Sequence, residues 1–203
     1  MRRLLLCAAL IGAGCSGPRK LTLDELSNGV QVDSLPAGAL VALDGHPAGR
    51  APTGVDLPAG RTVTLTIALQ GFTPRTLTGS RAQLLGGGDR LGVVLTPEGW
   101  RPPRPLDMNE PKGLGALARE LERRRDWGHA AEAWARLLEL SPRDARAHRG
   151  MGSCFAKMGR DEQAIREYEQ YLFLAPDAPD AARVRHAVDS YRGGIDLPSS
   201  APP

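Results

Sequence analysis

Residues 111–142 read PKGLGALARELERRRDWGHAAEAWARLLELSP, and residues 143–176 read RDARAHRGMGSCFAKMGRDEQAIREYEQYLFLAP. Leu121, Ala130, Trp134 and Pro142 in the first stretch are answered in kind by Phe155, Ala164, Tyr168 and Pro176, each 34 positions later. A fixed period of that length marks a helical repeat. A helix-turn-helix unit buries its seams only against the next unit, so small, bulky and helix-stopping residues must return at one spacing to build a continuous core.

Helix faces demand apolar residues three and four apart, and both copies meet that demand. Leu114, Leu117, Ala118 and Leu121 form one stripe; Ala130, Trp134, Leu137 and Leu138 form a second after a break at Asp126 to Gly128. In the next copy His148, Met151, Gly152 and Phe155 are followed by Ala164, Tyr168, Tyr171 and Leu172. Small Ala130, Ala164 and Gly152 are expected to let helix backbones approach, while Trp134 and Tyr168 fill the space between repeats. Plain core packing accounts for these aromatic and Met positions. Cys154 reads as a small buried apolar residue, since no base accompanies it as for a nucleophile.

On these residues the segment 111–176 resembles two tetratricopeptide repeats, 111–142 and 143–178, with His148 standing where Trp is usual. A third start follows Pro176-Asp177-Ala178-Pro179-Asp180, because Val184, Ala187, Val188 and Tyr191 reproduce the first-helix stripe with a shift of two; 179–193 is read as a capping helix and 194–203 as a frayed tail. About three units are wanted for an autonomous solenoid, so dimerisation or docking on the rest of the chain is expected. The resemblance implies that the first helices line a concave face. That places Arg119, Glu122 and Arg123 there, then Arg146, Arg149, Ser153 and Lys157, then Arg185, Asp189 and Arg192. Several guanidinium groups on a curved surface suit an acidic segment or a terminal carboxylate. The Asn positions of the family's carboxylate clamp are absent, as Arg119 and Ser153 show, and an exposed helix face is charged in any case. If the acidic reading holds, reversing Arg146 and Arg149 to Glu weakens capture of a partner and leaves the helices folded.

At the other end, Met1-Arg2-Arg3 supplies a charged start and Leu4 to Ala13 an apolar run of signal-peptide length, too short to span a bilayer. Gly12-Ala13-Gly14-Cys15-Ser16 then resembles the lipobox of a bacterial lipoprotein, with Gly12 where Leu is usual. The resemblance implies removal of residues 1–14, acylation of Cys15 as the lipidation site, and a tether over 15–29. The competing reading is ordinary secretory cleavage. Two or more acyl chains would hold the chain at a membrane, each buried methylene contributing about 0.8 kcal/mol. With Ser16 after the Cys, the best-known sorting rule for this class points to the periplasmic face of the outer membrane.

Between Val32 and Thr96 the period changes to two: Val63, Leu65, Ile67 and Leu69 alternate with Thr62, Thr64, Thr66 and Ala68. Strands at 30–34, 39–43, 55–57, 61–69, 73–78 and 90–96, separated by Gly, Pro and Asp turns, predict a small antiparallel sandwich. Ser34 to Gly45, followed by Gly49, Pro52, Pro58-Ala59-Gly60 and Gly71-Phe72, resembles a PEGA domain over residues 30–97. Each turn also has a purely conformational explanation. His46 beside Asp44 falls short of a metal set. The five prolines from Pro97 to Pro111, both included, make 98–110 a semi-rigid linker, with Trp100 expected to pin it to a neighbour. The fold class expected is therefore multidomain β + α: an antiparallel β-sandwich joined by a Pro-rich linker to a short all-α solenoid.

Function follows from what remains. Of 26 Lys and Arg, Arg2 and Arg3 lie in the leader, leaving 24 against 23 Asp and Glu, so no cationic excess points to nucleic acid. No His-Glu-x-x-His, Gly-Lys-Ser/Thr or Gly-x-Ser-x-Gly pattern supports catalysis, and no cofactor is expected. The reading is a non-enzymatic envelope lipoprotein that recruits an unidentified envelope protein through its repeats, with a homodimer as a further expectation. The rival is a cell-wall or glycan binder using the β module, against which stands the scarcity of aromatic side chains there.

Overall fold

A computed structural model describes residues 29–58, 60–102 and 106–194. The expected signal peptide 1–14, Cys15, the expected tether as far as residue 28 and the expected tail beyond 194 lie outside the described residues.

The β half contains β1 (Gly29–Leu35), β2 (Leu40–Leu43), β3 (His46–Arg50), β4 (Thr53–Asp56), β5 (Thr62–Ala68), β6 (Phe72–Thr73), β7 (Arg75–Ser80), β8 (Arg90–Val94) and β9 (Thr96–Pro97), with a short helix α1 (Arg81–Leu85) after β7. Alternation decides which face is buried. Val63, Leu65 and Ile67 of β5 point inward and are essentially inaccessible, as are Val30 and Val32 of β1. Two sheets close over them, ordered β4-β1-β8 and β3-β2-β5-β7, with β6-β9 as a separate ribbon. The Asp44-Gly45 turn between β2 and β3 has positive φ at both residues, 50° and 83°, the geometry that suits a twisted two-residue hairpin. Asp44 also accepts the Thr64 backbone N–H at 2.8 Å and pairs with Arg61. That N–H, with Arg61, holds its carboxyl below the ordinary value.

Three features depart from the expected antiparallel sandwich, the first being β3, which pairs with β2 where no strand was expected between 43 and 55. β1 and β8 are parallel, in register from Gln31↔Arg90 to Leu35↔Val94. A parallel pair needs a long crossover, and residues 36–89 supply it by building the second sheet on the way. Helix α1 was not foreseen, although Ser80 and Gln83 form a capping box and Gly86 ends the helix at φ 58°; that spacing is a start-and-stop signal visible in the sequence.

The helical half is α2 (Pro111–Arg123), α3 (Trp127–Leu140), α4 (Ala145–Lys157), α5 (Asp161–Leu174) and α6 (Ala181–Gly194). The break between α2 and α3 falls earlier than the sequence suggested: Arg125 takes φ 61°, Asp126 caps α3, and Gly128 is already helical. Leu114, Leu117, Ala118 and Leu121 are all buried, as expected. On α4 the fully buried positions are Ala147, Gly150, Gly152 and Cys154, whereas His148, Met151 and Phe155 are half-buried. This helix is sandwiched between α3 and α5 and buries two faces, which a single-stripe reading cannot anticipate. The glycines show why. A Cβ at Gly150 would overlap the Trp134 indole, and one at Gly152 would stand 2.7 Å from Tyr168 Cδ1. Gly152→Ala is therefore expected to destabilise by about 1–2 kcal/mol in urea unfolding, because overpacking against the ring outweighs the roughly 1 kcal/mol gained in helix propensity.

The two halves share one core. Phe72 meets His129 of α3 edge-on, ring centroids 5.4 Å apart, and the Ala37 N–H donates to Glu132 Oε2 at 2.8 Å. The connector is gripped rather than merely spaced. Arg136 donates from Nε to the Met108 carbonyl and from a terminal nitrogen to Asn109 Oδ1, both at 2.9 Å, while Arg124 donates to the Glu98 carbonyl at 2.9 Å. Gly92 of β8 leaves room for the Met108 side chain. The β module and the connector thus dock on α3, through His129, Glu132 and Arg136.

Candidate functional site

The first helices of successive units, α2, α4 and α6, line a cavity of about 600 Å³. From α4 it takes Arg146, Arg149, Gly150, Ser153 and Lys157, residues spaced by three and four along one helix face. Helix α2 contributes Arg119 and Glu122; α6 contributes Arg183, Val184, Ala187 and Tyr191. Trp134 and Tyr168 reach in from the second helices and form part of the floor.

The expected groove residues are partly gathered there. Arg119, Glu122, Arg146, Arg149, Ser153 and Lys157 share the cavity. Arg123 does not; it turns to Glu120, which is almost fully buried and also takes Arg124. Arg185 is directed away as well, donating to the Pro176 carbonyl at 2.8 Å, and Arg192 crosses to Glu169 on α5. Asp189 is exposed and outside the lining. The reason is register: Val184, Ala187 and Tyr191 face the groove on α6, which puts Arg185, Asp189 and Arg192 on its other sides. Sequence reasoning missed Arg183 and read Trp134, Tyr168 and Tyr191 only as packing. The i, i+4 step from Arg183 to Ala187 was the available signal.

The cations differ in freedom. Arg119 and Lys157 have no ion-pair partner among the described residues, while Arg146 reaches Asp144 at 3.4 Å with its side chain largely exposed. Arg149 is engaged by Asp180, which also accepts the Tyr171 hydroxyl and lies 3.7 Å from Arg183. The Tyr171 hydrogen bond first, and Arg149 after it, hold the Asp180 carboxyl below its ordinary value. A carboxylate with a lowered folded-state pKa stabilises above its unfolded pKa, and that contribution is lost as pH falls through the folded value. Asp180→Asn is accordingly expected to flatten the decline of thermal stability on acidification below about pH 4, the unperturbed Asp value, relative to the native chain.

Glu122 sits on the floor, accepting Trp134 Nε1–H at 2.7 Å with Cys154 Sγ 3.7 Å away. Burial, with Glu122 adding to it, pushes the Cys154 thiol up to about 12. Cys154 is fully buried, as expected for a core residue. A thiol held neutral is a poor nucleophile. Labelling by a maleimide near pH 7 is expected to be slow in the native chain and fast in urea; fast native labelling would show that the helix opens locally. Tyr168, raised mainly by burial, shares a hydrogen bond with Ser153. His148 presents Nδ1 to Glu167 at 2.7 Å and Nε2 to the Pro142 carbonyl at 3.1 Å, tying the two helices of its repeat.

Among the described residues no group of three His, Cys, Asp or Glu could hold a metal, and no helix is long and apolar enough to cross a membrane. His46 is exposed at the hairpin, and Phe72, the single aromatic side chain of the β module, is buried.

Two family models match the two halves of this architecture. Residues 117–189 match the tetratricopeptide repeat family model and residues 27–78 the PEGA domain model. Among solved structures, two crystal structures of MamA are similar: one at 21% identity over 44% of this chain and 50% of that one, with a TM-score of 0.40, the other at 22% over 43% and 48%, with 0.41. A tetratricopeptide repeat domain protein from Salinibacter ruber is 22% identical over 43% of this chain and 92% of its own, with a TM-score of 0.38. The chain spans about half the length of the MamA chains it matches. No curated protein matches the sequence.

Proposed function

We propose that this chain, a PEGA domain followed by tetratricopeptide repeats, is a non-catalytic adaptor of the cell envelope that holds an acidic segment of a partner protein in its repeat groove. The repeats point to protein–protein interaction. The observation that carries the acidic reading is the groove itself: five basic side chains, Arg119, Arg146, Arg149, Lys157 and Arg183, converge on one hollow floored by Trp134 and Tyr168. Guanidinium groups with free donors form charge-assisted, often bidentate bonds to carboxylates. Burial of Phe72 leaves the PEGA module no exposed ring to stack on a sugar, which weighs against the glycan-binding alternative.

Acylation of Cys15 supplies the mooring in this reading, at the periplasmic face of the outer membrane. Crosslinking in intact cells followed by mass spectrometry tests recruitment: an envelope protein crosslinked to α2 or α4 supports the adaptor, and crosslinks confined to the PEGA module overturn it. Cys15→Ser is expected to move the protein from the membrane fraction to the soluble one; retention in the membrane fraction would remove the lipid anchor.

A further inference from the structure

A second cavity, of about 630 Å³, lies beside the groove and has Arg119, Glu122 and Ser153 as a common wall with it. Its remaining wall is not made by repeat helices alone. Trp100, from the connector, lines it together with Ala116 and Trp127. The position of Trp100 is fixed from both sides: the Glu98 N–H donates to the Gly71 carbonyl at 3.0 Å, the Glu98 carbonyl accepts from Arg124 at 2.9 Å, and the Trp100 N–H closes a turn onto the Pro97 carbonyl at 3.1 Å.

We infer that the binding channel extends beyond the repeats to an apolar end built by Trp100 and Trp127, and that its occupant is an extended acidic segment of another protein carrying one bulky apolar side chain. The inference rests on the acidic-groove reading above and adds to it the length, the second chemistry and the role of the connector. Charge complementarity commits the occupant: Arg119, without an ion-pair partner among the described residues, stands on the shared wall, and Lys157, likewise unpaired there, and the exposed Arg146 line the groove. At the far end the charge balance changes: Arg119 and Arg123 are matched there by Glu120 and Glu122, so the two half-buried indoles share a wall without net charge. Carboxylates belong along the channel, and an aromatic or large aliphatic group at its end.

The test uses the full mature chain and two probes, a short fluorescein-labelled peptide of Glu and Gly and the same peptide with one Phe near its end, read by fluorescence anisotropy. The Phe peptide is expected to bind roughly tenfold more tightly, and Trp100→Ala to erase that advantage while leaving the Glu/Gly peptide unaffected. Ala116→Glu, which places a carboxylate on the same wall, is expected to erase it too and serves if Trp100→Ala alters the melting temperature. Equal binding of the two peptides overturns the apolar end and leaves the acidic groove standing. A Phe advantage that survives both substitutions places the apolar contact elsewhere and overturns the role of Trp100. Failure of both peptides to bind overturns the acidic groove and this extension together.

Discussion

Trp134→Ala is expected to lower the stability of the helical half by about 3–5 kcal/mol, the range for deleting a buried aromatic side chain. The ring is only 4% exposed and lies over Gly150, which has no Cβ to fill the space left behind. Its Nε1–H is also a donor to Glu122, so truncation leaves a carboxylate on the groove floor without that partner. Urea unfolding followed by far-ultraviolet circular dichroism measures the loss. Trp134→Phe keeps most of the packing and removes the hydrogen bond, so it should cost distinctly less. A loss below about 1 kcal/mol for Trp134→Ala would mean that α3 and α4 close over the cavity, against the rigid seam argued here.

The second large effect concerns binding. Arg119→Glu combined with Arg146→Glu should weaken capture of an acidic segment by roughly a hundredfold or more, since two charge-assisted bonds become repulsive contacts. These positions separate binding from folding better than Arg146 with Arg149, the pair the sequence favours. Arg149 holds Asp180 and through it the start of α6, so reversing it opposes two carboxylates and loosens the cap. Arg119 has no such tie. Arg146 stands in the first turn of α4, where a Glu is favoured by the helix dipole. Isothermal titration with the Glu/Gly peptide, beside a melting curve for the double variant, gives both quantities. Native binding should also fall as salt is raised, because exposed charges are screened. Binding by the double variant equal to that of the native chain would show that the groove is merely a solvated face.

Much of this was legible because repeat packing is written locally. Ala130 with Trp134 and Ala164 with Tyr168 lie within one helix each, and Leu114, Leu117 and Leu121 specify a stripe whatever surrounds them. The same holds for β5, whose alternation of Thr with Val, Leu and Ile survives unchanged as alternating exposure. Gly150 was harder to read: its need is set by an indole sixteen residues back in sequence, and only the α3–α4 crossing brings the two together.

Composition and spacing determined the order of the β and helical halves, most of their elements and the repeat period, since each depends on contacts within a few residues or on a recurring seam. The tertiary structure decided three further things. It set the parallel pairing of β1 with β8, because alternation buries the same face in either direction. It chose which cations share the hollow, because the rotation of α6 about its axis is fixed by Val184 and Val188 packing rather than by its charges. It also seated Trp100 in the cavity beside the groove, because its place depends on Gly71, Glu98 and Arg124, residues far apart in the chain that meet only when the β module docks on the helices.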